Sequence, residues 1–196
     1  MADPTPKTNP QTESAFVHLH VHSHYSLLNA IPTPKDLAGA AAADNQRAMA
    51  ITDNGALYGA IDFYKACTDV GIKPIIGIDT YLAPRSRFDK ESLVDKPRAR
   101  LVLLAKNNNG YKNLIQLVTL SNTEGFYYRP RLDHELLEQY GSDLICIIPS
   151  FAGETVQHLK NDDFERAAAE LDWYQRTFGE NCYHELTHHP EILDHQ

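Results

Sequence analysis

Short apolar runs, most of them separated by segments with helical signals, constrain the fold of this chain more than any other feature. Six such runs predict strands, at residues 16–21, 48–52, 73–82, 100–105, 143–148 and 182–187. Helix signals lie between them, such as Thr33-Pro34 before an alanine-rich stretch and Gly71 after a periodic one. Strands that alternate with helices indicate an α/β fold with a parallel sheet, either open or closed into a barrel.

Length and composition predict one domain of a cytoplasmic protein. Of the 196 residues, we expect 15–196 to form the domain and the polar segment 1–14 to be a disordered leader. The leader lacks the apolar centre of a secretory signal, and no apolar run approaches the roughly 20 residues that span a bilayer. Three widely spaced cysteines without a CxxC motif predict reduced thiols. The net charge of −8 disfavours a broad surface for nucleic acid.

Four histidines alternate with other residues in the run HLHVHSH at residues 18–24. If this run is a strand, its four imidazoles share one face, because strand side chains alternate between two faces. Imidazoles on an inner face need carboxylates, water or a metal as partners, and two at i and i+2 can chelate one zinc or manganese ion. The alternative is a solvated strand with incidental histidines.

Polar residues stand at or near the ends of several predicted strands, where parallel α/β folds place their sites. Asp53 follows the second strand, Asp79 lies in the third, and Ser150 follows the fifth. His188 and His189 follow the sixth strand. Each residue also has a purely structural interpretation, as a turn residue, a helix cap or part of a surface pair. Together with the histidine run they indicate a site.

Longer stretches of the chain carry a resemblance to a known family. The runs FVHLHVHSHYSLL, AITDNGALYGAIDFYKA, GIKPIIGIDTYLAP, LVLLAKNNNGYKNLIQLVTLS and EGFYYRPRLDHELLE occur in this order. They resemble the PHP (polymerase and histidinol phosphatase) domain at the N-terminus of bacterial DNA polymerase III alpha subunits, from Phe16 to about His189. The resemblance implies a distorted (β/α)7 barrel with a metal cluster at its mouth. On this interpretation the chain stops before the last strand of the barrel.

The resemblance also assigns a metal site to particular residues. It implies metal ligands at His20, His22 and Asp79, with Asp53 and His189 as further candidates. PHP domains hydrolyse phosphate esters or proofread with two or three metal ions, which activate water and neutralise the developing charge.

Four site positions depart from the pattern of the family. They are occupied here by Asn29, Asn54, Arg100 and Ser150. Asparagine and serine are poor ligands compared with imidazole and thiolate, and Arg100 brings a fixed positive charge in place of the histidine of the family. We therefore expect either one weakly held zinc or manganese ion at His20, His22 and Asp79, or none. Hydrolytic activity is not expected.

Three hypotheses for function follow from the resemblance. The first is a structural PHP domain of a replicative polymerase, whose Mg²⁺-dependent polymerase domains, further replisome subunits and DNA contacts lie outside these residues. The second is a stand-alone metal-dependent phosphoesterase or 3′–5′ exonuclease. The third is a truncated product without activity of its own. Polymerase-like stretches outside the site, such as GFYYRPRLD, favour the first hypothesis.

Overall fold

The computed structural model describes residues 16–187. Its helices are α1 (Pro34–Ala43), α2 (Ala60–Val70), α3 (Asn108–Thr123), α4 (His134–Tyr140), α5 (Glu154–Leu159) and α6 (Phe164–Phe178), with a short 3₁₀ helix at Gly179–Asn181. Its strands are β1 (Ala48–Asn54), β2 (Lys73–Leu82), β3 (Ala99–Ala105), β4 (Arg131–Leu132), β5 (Leu144–Ile148) and β6 (Cys182–His184). None of the helices in this range is both long enough and apolar enough to cross a membrane. The leader predicted at residues 1–14 and the candidate ligand His189 lie outside the described residues.

The strands form one mixed sheet in the order β1-β2-β3-β5-β6, and β4 pairs with β2. The pairs β1–β2, β2–β4 and β5–β6 are parallel, whereas β3 runs antiparallel to both β2 and β5. The α/β class is confirmed, but the prediction of a parallel sheet is wrong for β3. The physical reason is the connection at 83–98, which contains no helix to carry the chain across the sheet. Within residues 16–187 no ladder joins β6 to β1, so the sheet is open.

Residues 16–21, predicted as the first strand, form no strand, so this prediction is wrong. The segment nevertheless runs along β1, because the amides of Ala50 and Thr52 donate to the carbonyl oxygens of His18 and Val21, at 2.8 and 2.7 Å. The two acceptors are three residues apart, whereas the two donors are two residues apart. The segment therefore contains one extra residue, which prevents a regular ladder.

Residues of β3 alternate between the two faces of the sheet. Leu101 and Leu103 are fully buried and pack against α3, α4 and α6 in a large apolar cluster. Val102 and Leu104 face the other side, where they pack with apolar residues of β1 and β5. Arg100 belongs to this second series, because strand side chains alternate, and so lies on the face opposite these helices.

Local sequence signals set the helix ends as predicted. Thr33 and Asp36 form a capping box at the start of α1, with Pro34 at its first position. Gly71 ends α2 in the left-handed conformation, with φ of +76°. Asp133 caps α4 by accepting a hydrogen bond from a backbone amide of the first turn. Strand β4 and the six-residue α5 were not predicted, because each is too short to show a period.

Candidate metal centre

The histidine pair singled out in the sequence meets Asp79 in the structure. Oδ2 of Asp79 lies 3.0 Å from Nε2 of His20 and 3.0 Å from Nε2 of His22. The segment that carries the histidines runs along β1, and Asp79 lies in β2, the strand paired with β1. One donor atom from each of the three side chains lies within 4.8 Å of the others. The structure thus brings together the three residues to which the resemblance assigned a metal.

A guanidinium group holds the same carboxylate. Nε of Arg100 donates to Oδ1 of Asp79 at 2.9 Å, and Nη2 of Arg100 donates to Oδ2 of Asp79. The same Nη2 also donates to Oδ1 of Asn54. Two of the four positions that depart from the family pattern are therefore joined at the site. Arg100 places a positive charge directly on Asp79, which is only 2% exposed.

Glu185 was not among the predicted site residues. It completes a group of contacting side chains, here called the Asp79 cluster, whose members are His20, His22, Asp79, Arg100 and Glu185. Oε2 of Glu185 lies 2.6 Å from Nδ1 of His20, so His20 bridges the carboxylates of Asp79 and Glu185. The Ser150 hydroxyl donates to the carbonyl oxygen of Glu185 and so holds the segment that follows β6. The available signal was positional, because Glu185 lies near the end of the last predicted strand, at 182–187, and directly follows the observed β6.

The charges of the Asp79 cluster balance within the protein. Burial raises the pKa of Asp79, but hydrogen bonds from His20, His22 and Arg100 outweigh burial and hold this pKa well below its usual range. Burial lowers the pKa of His20, but its contacts with Asp79 and Glu185 outweigh burial and raise the pKa to about 9. The hydrogen bond with His20 lowers the pKa of Glu185. At neutral pH two carboxylates therefore face an imidazolium and a guanidinium.

Asp53, a further candidate ligand, fixes the loop that follows the histidine pair. It is 2% exposed and accepts hydrogen bonds from the Ser23 amide at 2.7 Å, the Ser23 hydroxyl at 2.8 Å and the Ser26 hydroxyl at 2.6 Å. Neighbouring residues in a strand point to opposite faces, so Asp53 faces this loop while Asn54 faces Arg100.

The remaining predicted position, Asn29, lies at the rim of the site. Its side chain is exposed and lines an open groove together with His20 and His22. His24 does not join them, because its ring packs against that of Tyr25 with 4.3 Å between the centroids.

Replacing Asp53 with alanine should destabilise the fold by about 3 kcal/mol, because an unsatisfied buried polar group costs about 1–3 kcal/mol. Urea unfolding measures the loss, and hydrogen exchange at the Ser23 amide should become faster. Asp36→Ala is the matched control: Asp36 also accepts from the amide and the hydroxyl of one residue, Thr33, but at an exposed position. It should cost less than about 1 kcal/mol. Equal losses in the two variants would contradict the role given to Asp53.

Comparison with known proteins identifies the family. Residues 18–189 match the model of the PHP domain. The chain belongs to the PHP domain family. This confirms the resemblance seen in the sequence runs.

Curated relatives of this chain are named as polymerase subunits. The DNA polymerase III subunit alpha of Borreliella burgdorferi is 45% identical over 177 residues, which cover 90% of this chain and 15% of the relative. The subunit of the same name from Chlamydia pneumoniae is 43% identical over 175 residues, with 89% and 14% covered. The chain thus spans about one seventh of the length of these curated relatives.

A solved amidohydrolase from Chromobacterium violaceum is also similar to the PHP domain, with a TM-score of 0.48 and 14% identity. The similarity covers 77% of this chain and 74% of that chain.

Proposed function

We propose that the chain is the PHP domain of a bacterial DNA polymerase III alpha subunit and acts as a structural domain with a depleted metal site. Relatives of that name at 37–45% identity, aligned over about 90% of the chain, support the first part. The depleted metal site is supported by Arg100, because its guanidinium binds the Asp79 carboxylate that a metal ion would need.

The residues of the Asp79 cluster fit a metal ion only in part. His20, His22 and Asp79 offer two imidazoles and a carboxylate, a donor set suited to zinc or manganese. A cation bound to Asp79 would, however, lie against the charge of Arg100. Metal binding would also require His20 to lose a proton that Asp79 and Glu185 stabilise. The cluster therefore suits at most one weakly held Zn²⁺ or Mn²⁺ ion, and no hydrolytic step is assigned to it.

In this proposal DNA synthesis and its Mg²⁺ ions belong to other domains of a longer cytoplasmic protein. The partners of the PHP domain are those polymerase domains and other replisome subunits. DNA is held by the other domains rather than by this segment, because its net charge of −8 repels phosphates.

Two assays test the proposal. With Mn²⁺, the chain should degrade single-stranded DNA from its 3′ end no faster than the His20→Ala/His22→Ala variant. The longer protein that contains the chain should extend a primed template with dNTPs and Mg²⁺. Mn²⁺-dependent degradation that the double variant abolishes would overturn the structural role and favour a phosphoesterase or 3′–5′ exonuclease. A reading frame that continues without polymerase motifs would overturn the assignment to an alpha subunit.

A further inference from the structure

A second cluster of metal-ligating side chains lies where α4, α5 and α6 meet. His134 begins α4, Glu154 begins α5, and Glu170 lies in the middle of α6. Nε2 of His134 is 2.9 Å from Oε2 of Glu154 and 3.1 Å from Oε1 of Glu170. Three elements separated in sequence therefore direct one donor atom each to a common point, with all three atoms within 4.8 Å of one another.

The hydrogen bond from Nε2 of His134 reaches only one of the two carboxylates. One N–H bond points at one acceptor, and the hydrogen bond from His134 goes to Oε2 of Glu154. That oxygen also accepts from the Tyr174 hydroxyl at 2.8 Å. Oε1 of Glu170, in contrast, is buried and makes no hydrogen bond within residues 16–187, although the same Nε2 lies 3.1 Å away as an ion-pair contact. A buried carboxylate oxygen without a donor costs free energy, which a bound cation would recover.

We propose that His134, Glu154 and Glu170 bind one divalent cation of borderline hardness, Mn²⁺ or Zn²⁺, which ties α4, α5 and α6 together. One imidazole and two carboxylates are ligands that such ions accept. Neighbouring ligands of an octahedral ion with bonds of about 2.1 Å lie about 3 Å apart, close to the observed 2.9 and 3.1 Å. A cavity of about 200 Å³, lined in part by His134 and Glu154, adjoins these donors and has room for water ligands.

Neighbouring aromatic residues hold two of the three ligands in place. The His134 ring stacks on that of Trp173, with 3.8 Å between the centroids and 14° between the planes. Tyr174 is fully buried, and its hydroxyl holds Glu154. Contacts of this kind orient the side chains that coordinate a metal ion and strengthen metal binding. Ligand orientation here thus comes from α6, which also supplies Glu170.

Trp173 is the only tryptophan of the chain and therefore reports on this site directly. Titration of the 196-residue chain with Mn²⁺, which is paramagnetic, should quench Trp173 fluorescence and saturate at one ion per chain. Diamagnetic Zn²⁺ should compete and restore the fluorescence. Quenching should persist in His20→Ala/His22→Ala, which removes the imidazoles of the Asp79 cluster, and in His158→Ala, which removes a neighbouring histidine of α5.

Glu154→Gln/Glu170→Gln keeps the shape of the second cluster but removes both negative charges. Its affinity for Mn²⁺ should fall at least about 100-fold, because two charged ligands are lost. If circular dichroism shows that this double variant does not fold, the Mn²⁺ affinity of Glu170→Gln alone is compared with that of the unmodified chain. This single variant keeps the Glu154 ligand. Absence of saturable quenching in the unmodified chain would overturn the proposal, as would unchanged affinity in the folded glutamine variant.

Discussion

Replacing Arg100 with alanine should lower the free energy of unfolding by about 3 kcal/mol, because Asp79 is left without its guanidinium partner. Asp79 is 2% exposed and the Arg100 side chain 24%. Removing one partner of a buried ion pair typically costs about 3–5 kcal/mol. The two histidines that stay on Asp79 place the expected loss at the lower end of this range. Urea unfolding at pH 7 measures the loss.

Arg100→His separates the loss of a charge from the gain of a ligand. The imidazole removes the fixed positive charge and offers a further donor close to Asp79. We expect this variant to retain more Zn²⁺ or Mn²⁺ at the Asp79 cluster than the unmodified chain, measured by elemental analysis of untagged protein. Arg129→His, at an exposed position, is the control for adding a histidine. If both variants retain equal amounts of metal, the charge of Arg100 is not what excludes the ion.

Replacing Arg131 with methionine should have the largest effect on stability, about 4 kcal/mol or more. The Arg131 side chain is fully buried and donates to four backbone carbonyl oxygens at 2.9–3.1 Å, those of Arg87, Asp89, Asp95 and Gly125. Methionine has a similar length but no donor, so these carbonyls would lose their partner, at about 1–3 kcal/mol for each one that stays buried. Thermal and urea unfolding both measure the effect.

Three of the four carbonyl groups belong to the long connection at 83–98, so Arg131→Met should also loosen that segment. Trypsin should then cut after Lys90 faster than in the unmodified chain. Arg129→Met, two residues away, removes an exposed guanidinium that lies 6.0 Å from the centroid of the Tyr81 ring, and should cost less than about 1 kcal/mol. A connection that resists trypsin equally well in both variants would show that Arg131 does not organise it.

Local patterns in the sequence determined the class of fold and most of its elements. The strand predicted at 73–82 is the observed β2, because a run of apolar and β-branched residues between turn signals needs no tertiary information. The capping signals at Thr33 and Asp133 likewise act within one helical turn. The joining of His20, His22 and Asp79 was anticipated through the resemblance to a family.

Only the tertiary structure decided how these elements meet. The extra residue between His18 and Val21 and the antiparallel direction of β3 depend on pairing between distant segments, which a period of two or 3.6 residues does not encode. The same holds for side chains. Asp53 and Asn54 are neighbours in sequence, yet strand alternation sends one to the loop at 23–26 and the other to Arg100.

Burial and charge act together at the sites in a way that the sequence alone does not show. Glu185 reaches His20 across 165 residues, and Arg100 reaches Asp79 across 21. The histidine run by itself predicted that its imidazoles, if they face inward, require polar or metal partners. Whether the cation of the Asp79 cluster is a metal or a guanidinium depends on which side chain the folded chain places on Asp79, because a buried carboxylate requires a positive partner and accepts the one that lies within reach.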